Sequence, residues 1–180
     1  MMTAGHSHEL ASRPAASPLS RVPASLAGVL AALIFVAWVS AALPWWQIYM
    51  MDSDEGINLG KAALVARGVP PYGAMWNDQP PVLTYLLAAL QHVFPYDVTA
   101  ARALILGSAG LMIWSLYRIC HRAGGHPAAI IAVVLLGTSP LFMDLSVSVM
   151  IGLPAVALAV VALDLASTPI RPVLLRGLLA

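Results

Sequence analysis

Two long apolar segments constrain this chain more than any other feature. Residues 25–43 and residues 98–120 contain almost no charged side chains. About 20 apolar residues in a helix are enough to cross the hydrocarbon core of a bilayer, which is roughly 30 Å thick. Hydrophobic residues make up 60% of the chain and charged residues only 9%, whereas soluble domains are about half apolar and about a quarter charged. We therefore predict an all-α polytopic membrane protein.

The basic residues around the first segment predict its direction. Arg13 and Arg21 precede it, within a Ser-, Pro- and Ala-rich stretch that we predict to be a disordered cytoplasmic tail over residues 1–23. A cleaved signal peptide is the alternative, because residues 39–41 loosely resemble a cleavage site. The apolar core is longer than the roughly 7–15 residues of a signal peptide. This length favours an uncleaved anchor with its N-terminus in the cytoplasm.

The remaining segments predict about four crossings. Residues 80–94 are apolar but too short to cross, so we expect a juxtamembrane helix lying on the outer face. The basic cluster that follows the second span then falls in the cytoplasm, as the positive-inside rule requires. This cluster comprises Arg118, His121, Arg122 and His126. The predicted third and fourth spans are residues 127–142 and 153–165, and the outer loops are residues 44–97 and 143–150.

Three carboxylates lie within four positions after the first span, at Asp52, Asp54 and Glu55. Acidic residues of this spacing are typical of a helix start, where they cap backbone N–H groups and complement the helix dipole. The helix is predicted to extend to Arg67, with Gly68 as the residue that ends it. Capping alone accounts for the acidic cluster. The alternative interpretation is a catalytic carboxylate held at the membrane surface.

The rest of the first outer loop is rich in prolines and aromatic residues. One interpretation is a rigid interfacial loop, because Trp and Tyr favour the headgroup region. The other is the wall of a polar site, in which Asn77 and Asp78 face Asp54. Trp45, Trp46 and Tyr49 are predicted to form an aromatic belt at the same interface.

The order of these elements resembles a known family. Arg102 opens the second span, and the ordered motifs before it are Asp54-Glu55-Gly56, Gly68-Val69-Pro70, Tyr72 and Trp76-Asn77-Asp78-Gln79-Pro80-Pro81. This arrangement is similar to the N-terminal region of membrane-embedded GT-C glycosyltransferases, in particular the protein O-mannosyltransferase-like and aminoarabinose-transferase-like group called glycosyltransferase family 39. Ser139-Pro140 is also similar to that group. The resemblance covers roughly residues 38–165.

The resemblance implies a partial GT-C fold and an enzyme in the cytoplasmic (inner) membrane. Such an enzyme transfers a sugar from a polyprenyl-phosphate carrier to an acceptor hydroxyl at the outer face, with inversion of the anomeric centre. Asp54 would be the catalytic carboxylate, which takes the proton of the acceptor hydroxyl, and Glu55 a supporting or ligating carboxylate. The implied substrate-binding residues are Tyr72, Asp78, Gln79 and Arg102, with Arg102 as a fixed cation for the carrier phosphate.

Two departures from the family pattern favour an alternative, in which this chain is a non-catalytic member of the family. Gln79 replaces the Lys or His that relatives usually carry before the double proline, and residues 150–154 contain no acid. A divalent cation remains possible as a cofactor, with no ligands assigned. A transporter fragment ranks last, because no ionisable residue lies in the middle of a predicted span.

The sequence argues against a nucleic-acid-binding protein and against a disulfide-stabilised domain. The basic residues form no patch that would bind nucleic acid, and the single cysteine, Cys120, forms no disulfide framework.

The apolar residues 174–180 look like the beginning of another span. We therefore expect the chain to be the N-terminal part of a longer protein, in which more distal segments contribute to the active site.

Overall fold

The computed structural model describes residues 22–47 and 53–168. Within these residues the regular secondary structure is helical, apart from one isolated bridge between Pro71 and Met75. The predicted all-α class is confirmed. The predicted tail, apart from its last two residues, and Tyr49 and Asp52 lie outside the described residues, as do residues 169–180. The helices are α1 (Ala24–Ala42), α2 (Ser53–Ala66), α3 (Val82–Val93), α4 (Val98–Gly137), α5 (Pro140–Leu145) and α6 (Gly152–Ala166).

Helix α4 is broken in its middle by two glycines. Gly124 and Gly125 have non-helical backbone angles, and Gly125 has a φ of 71° with a ψ of −170°. That conformation is essentially restricted to glycine. The break divides α4 into a first arm, residues 98–123, and a second arm, residues 126–137. The break lies between the predicted second and third spans, and we refer to it as the Gly-Gly turn.

Contacts with α1 show that the two arms run in opposite directions. On the first arm, Trp114 packs against Gly28 near the start of α1, while Gly110 faces Val36 further along. On the second arm, Gly137 lies against Phe35, where an added Cβ would be 3.2 Å from the Phe35 ring. The second arm therefore returns alongside α1. Small residues at these positions allow the helices to approach closely.

Helix α6 runs in the same direction as the first arm of α4. Just before α6, the backbone N–H of Val149 donates to Glu55, and Glu55 pairs with Arg102 near the start of the first arm. Near the end of α6, Asp164 pairs with Arg118 and Arg122. The four helical passes therefore alternate in direction: α1, the first arm, the second arm and α6. Asp164 and the Gly-Gly turn lie at one end of this bundle, and Glu55 lies at the other.

Helices α2 and α3 pack against each other at the Glu55 end. Helix α2 ends as predicted, within one residue, because Gly68 adopts a left-handed φ of 87°. The N–H of Gly68 donates to Val65 and the N–H of Val69 donates to Leu64, which is the hydrogen-bond pattern of a glycine-terminated helix. Helix α3 has 12 residues, about 18 Å in length, so it is too short to cross a bilayer. Its flat orientation stays a prediction.

Two helices of the described residues are long and apolar enough to cross a membrane, Ala24–Ala42 and Val98–Gly137, while Val82–Val93 and Gly152–Ala166 are shorter apolar helices. The surface of the bundle is correspondingly apolar. Leu33, Ile34 and Leu135 are each exposed by 60% or more, and an apolar surface of this extent is typical of proteins that contact lipid. Association with a membrane is therefore supported, although the predicted count of about four spans is not confirmed.

The predicted third span ends earlier than expected. We predicted a helix over residues 127–142, but the second arm stops at Gly137 and α5 begins separately at Pro140. Proline has no backbone N–H to donate, and it disfavours the helical conformation of the residue before it. Ser139 accordingly has an extended ψ of 121°. The short helix α5 and the turn after it then bring Val149 to Glu55.

Candidate active site

A buried ion pair between Glu55 and Arg102 lies at the centre of the candidate site. Nε and Nη2 of Arg102 donate to the two carboxylate oxygens of Glu55, at 2.7 and 2.6 Å. The Arg102 side chain is 7% exposed and that of Glu55 is 1% exposed. Two parallel charge-assisted hydrogen bonds of this kind are stronger and more directional than a single contact. The pair therefore fixes the start of α2 against the start of α4.

The same pair also connects two further segments of the chain. Nη1 of Arg102 donates to the backbone carbonyls of Trp45, at 3.0 Å, and Gln47, at 3.4 Å, just after α1. Oε1 of Glu55 accepts from the N–H of Val149 at 3.3 Å. Asn58, one turn along α2, donates to the carbonyl of Val149 at 2.9 Å. Four segments that are distant in sequence therefore meet at one buried pair.

Asp54 is exposed, although it is adjacent to the buried Glu55. Successive residues of a helix point about 100° apart, so a buried Glu55 turns Asp54 out of the packed interior. Both residues lie in the first turn of α2, where the helix dipole stabilises negative charge. The two acids therefore have different environments. Glu55 is ion-paired with Arg102 in the interior, while Asp54 lies at the surface, at the start of the helix that this pair holds in place.

A second pair links α2 to the loop that precedes α3. Nζ of Lys61 donates to Oδ1 of Asp78 at 3.0 Å, and it also lies 4.8 Å from the centre of the Trp76 ring. The hydrogen bond from Lys61 lowers the pKa of the Asp78 carboxyl below its usual value, so Asp78 is ionised at neutral pH. Lys61 is only 7% exposed. We did not single out Lys61 from the sequence, because a lone lysine on an amphipathic helix gives no distinctive signal.

Tyr72 and Gln79 are also brought together. The hydroxyl of Tyr72 donates to the backbone carbonyl of Gln79, and Tyr72 has a left-handed φ of 69°. Such a backbone conformation is costly for a residue with a side chain and persists only where the surroundings enforce it. The contact closes the loop 70–81 on itself. It places the predicted residues Tyr72, Asp78 and Gln79 on one loop beside α2.

The structure therefore groups the predicted site residues into two clusters at one end of the bundle. Glu55 and Arg102 form the buried cluster, and Tyr72, Asp78 and Gln79 belong to the loop beside Lys61. The guanidinium predicted to hold the carrier phosphate is bonded to Glu55. Within residues 22–47 and 53–168, no group of three or more His, Cys, Asp or Glu side chains lies close enough to hold a metal ion.

A further ion-pair cluster lies at the opposite end of the bundle. Asp164, which is fully buried, pairs with Nη2 of Arg122 at 2.7 Å and with Nε of Arg118 at 3.2 Å. The two arginines are one helical turn apart and present their charges on one face. Sequence reasoning missed Asp164, although a lone acid in an apolar helix and two arginines spaced by four residues were available as a signal.

Comparison with known proteins identifies the family. The profile of the family described as dolichyl-phosphate-mannose-protein mannosyltransferase matches residues 78–171. The match covers more than half of the chain. The chain belongs to this family of mannosyltransferases. The predicted GT-C-like resemblance is confirmed. Comparison with curated proteins and with solved structures finds no match.

Membership assigns the chain to the glycosyltransferases and supports a membrane setting with a lipid-linked sugar as donor. The matched residues include Asp78, Gln79 and Arg102. The matched range begins after Asp54 and Glu55, so it does not include these two acids. The roles of these two acids consequently rest on the geometry of the site and on the sequence motif, and the family match does not address them.

The buried pair gives a direct prediction for stability. Replacing Arg102 by Met leaves the carboxylate of Glu55 buried without its cation, and removing one partner of a buried pair costs about 3–5 kcal/mol. We expect the double variant Glu55→Leu/Arg102→Met to recover much of this loss, because both charges are then absent. The measurement is the unfolding midpoint in detergent micelles.

Arg67→Met provides the matched control for this experiment. Arg67 is exposed and bonds the hydroxyl of Tyr96 at 2.8 Å, so its replacement is expected to change the stability by no more than about 0.5 kcal/mol. Equal effects of Arg102→Met and Arg67→Met would contradict a structural role for the buried pair.

Proposed function

We propose that this chain carries the catalytic end of an inverting glycosyltransferase. It transfers a sugar from a polyprenyl-phosphate donor to an acceptor hydroxyl at the outer face of the cytoplasmic membrane. The observation that carries the proposal is the contrast between the neighbours Asp54 and Glu55. One is exposed, and the other is locked into a buried pair with Arg102.

Asp54 has the position that a general base requires. Its carboxylate is exposed at the start of α2, where an acceptor hydroxyl can approach it, and Glu55 holds the helix that carries it. In the proposed step, Asp54 takes the proton from the acceptor hydroxyl while the oxygen attacks the anomeric carbon. The bond from that carbon to the phosphate oxygen breaks, and polyprenyl phosphate leaves with the bonding electrons. A single displacement of this kind inverts the anomeric centre.

The contacts of Arg102 alter the role that we propose for it. Its guanidinium donates to both oxygens of Glu55 and to two backbone carbonyls, and these contacts support a role in positioning Asp54. Glu55 is likewise a positioning residue, because its oxygens are directed to Arg102 and Val149. Rigid support of this kind keeps a catalytic group in its productive geometry. The proposed substrate contacts then remain with Tyr72, Asp78 and Gln79.

The bundle supports a topology with this site outside. The Glu55 end and the basic turn at Gly124 lie at opposite ends of the bundle, and the positive-inside rule assigns Arg118 and Arg122 to the cytoplasm. Four alternating passes then cross the membrane, the third formed by the second arm together with α5, with the N-terminus in the cytoplasm. In this arrangement α2 and α3 lie at the outer face, where the donor headgroup and the acceptor meet.

Asp54→Asn tests the proposed base. The amide has nearly the same shape but cannot accept the proton, so we expect transfer from a polyprenyl-phosphate sugar to fall by about 10²- to 10⁴-fold. The unfolding midpoint of the variant is measured alongside transfer, so that a loss of activity is distinguished from a loss of folding. The assay uses membranes that contain the full protein.

The matched control is Asp144→Asn, which alters an exposed acid after the second arm and should leave transfer unchanged. Full activity of Asp54→Asn would remove Asp54 from the role of base. Absence of transfer by the wild-type protein would favour the alternative, a non-catalytic member of the family.

The topology is tested by single cysteines in a Cys120→Ala background. Gly73→Cys places a thiol in the loop beside α2, and Ala123→Cys places one at the Gly-Gly turn, both at exposed positions. We expect a membrane-impermeant thiol reagent to label residue 73 in intact cells, and residue 123 only after the membrane is permeabilised. Labelling of residue 123 in intact cells would reverse the proposed orientation.

A further inference from the structure

The loop beside α2 contains a buried amide without a hydrogen-bond partner. Asn77 is 8% exposed, and both its side-chain oxygen and its side-chain nitrogen lack a partner. A buried polar group left unpaired costs about 1–3 kcal/mol, so such groups are rare and call for an explanation. The residues on either side, Trp76 and Asp78, both contact Lys61. The unpaired amide therefore lies between two residues whose side chains contact the same buried lysine.

The hydrogen-bonding groups of the Asn77 amide indicate which class of ligand it can bind. The side chain of Asn77 presents a donor and an acceptor, and both are unpaired. A phosphate offers only acceptors, so it would leave the Asn77 oxygen unpaired and would bring a negative charge towards the ionised Asp78. A pair of sugar hydroxyls offers donors and acceptors together and carries no charge. Hydroxyls entering beside Asn77 would gain hydrogen bonds to an amide from which the protein has already removed water.

The neighbouring side chains suit a sugar as well. Trp76 is 73% exposed, and an exposed indole ring offers a flat apolar surface for the C–H face of a pyranose. Asp78 is 44% exposed and ionised through its bond to Lys61, so its remaining acceptor sites can take hydroxyl donors. Lys61 contacts both side chains from the buried face of α2. It holds the aromatic ring and the carboxylate in place before a ligand arrives, which reduces the entropy cost of binding.

We propose that Trp76, Asn77 and Asp78 form the subsite for the donor sugar, with Lys61 as their positioning residue. The inference rests on the proposed function, because it assigns the sugar of the polyprenyl-phosphate donor to this loop. Entry of the hydroxyls requires a local movement that uncovers the Asn77 amide, which is buried in the absence of a ligand. The ligand class is a neutral hexopyranose with neighbouring hydroxyls, and the carrier phosphate binds elsewhere.

Two lipid probes separate recognition of the sugar from recognition of the carrier. The first is a short-chain polyprenyl-phosphate mannose, and the second is the same polyprenyl phosphate without the sugar. Equilibrium binding of both is measured on the full protein in lipid nanodiscs. We expect Asn77→Leu and Asp78→Ala each to weaken binding of the sugar-bearing probe by about tenfold, the value of one or two hydrogen bonds. Binding of the sugar-free probe should be unchanged.

Asn77→Leu also separates a binding role from a structural one. The substitution replaces an unpaired buried amide by an apolar side chain of similar size, so the unfolding midpoint should stay the same or rise while binding of the sugar-bearing probe weakens. Gln91→Leu is the matched control, since this amide already donates to the carbonyl of Leu59. It should leave the ratio of the two affinities unchanged.

The possible outcomes are distinct. Equal weakening of both probes, or an unchanged affinity ratio in Asn77→Leu and Asp78→Ala, would overturn the sugar subsite and leave the proposed function intact. Failure of the wild-type protein to bind either probe would contradict the proposed function and the subsite together. Selective loss of the sugar-bearing probe in both variants, with Gln91→Leu unaffected, would support the subsite.

Discussion

The ion pair between Glu55 and Arg102 is the interaction on which this structure most depends. It joins α2 to α4, and through hydrogen bonds it also fixes the chain after α1 and the turn at Val149. Removing two charges from water is expensive, and the cost is offset only where the geometry is good and the remaining donors are satisfied. Here both carboxylate oxygens accept hydrogen bonds from the guanidinium. The pair therefore joins four segments of the chain at one end of a largely apolar bundle.

The same pair explains how two adjacent acids acquire different roles. Glu55 is held inside, and the geometry of the helix then places Asp54 outside. The proposed catalytic carboxylate thus lies on a helix start that its buried neighbour holds in place. On the loop side, Lys61 performs a comparable task by holding Trp76 and Asp78. In both clusters a buried cation on a helix orders the residues that we propose to meet the substrates.

Much of the fold could be predicted from local signals. Gly68 ends α2 because a left-handed residue is needed there, and the Gly124–Gly125 break follows from backbone angles that side chains disfavour. The early end of the third span could also have been predicted, since Pro140 cannot continue a helix. The predicted span ends too late because apolar residues resume at Leu141 and Phe142, and hydrophobicity alone does not report a break in the backbone.

The pairing of the site residues could not be predicted in the same way. Adjacent acids at a helix start look alike in sequence, and only the packing of α2 against α4 decides that Glu55 is the buried one. The contact of Lys61 with Asp78 depends on a loop in which Tyr72 adopts an unusual φ. Asp164 was missed because its partners lie 42 and 46 residues earlier, across the Gly-Gly turn. Long-range contacts of this kind are set by tertiary packing, which a single sequence does not reveal.

The central claim is that the exposed acid of this pair serves a single-displacement sugar transfer. Its most direct test is the anomeric configuration of the product, determined by nuclear magnetic resonance after transfer from a polyprenyl-phosphate sugar of known configuration. We predict that the configuration of the transferred sugar is the opposite of that in the donor. Retention of the donor configuration would require a covalent intermediate or a second displacement, and would contradict the role proposed for Asp54.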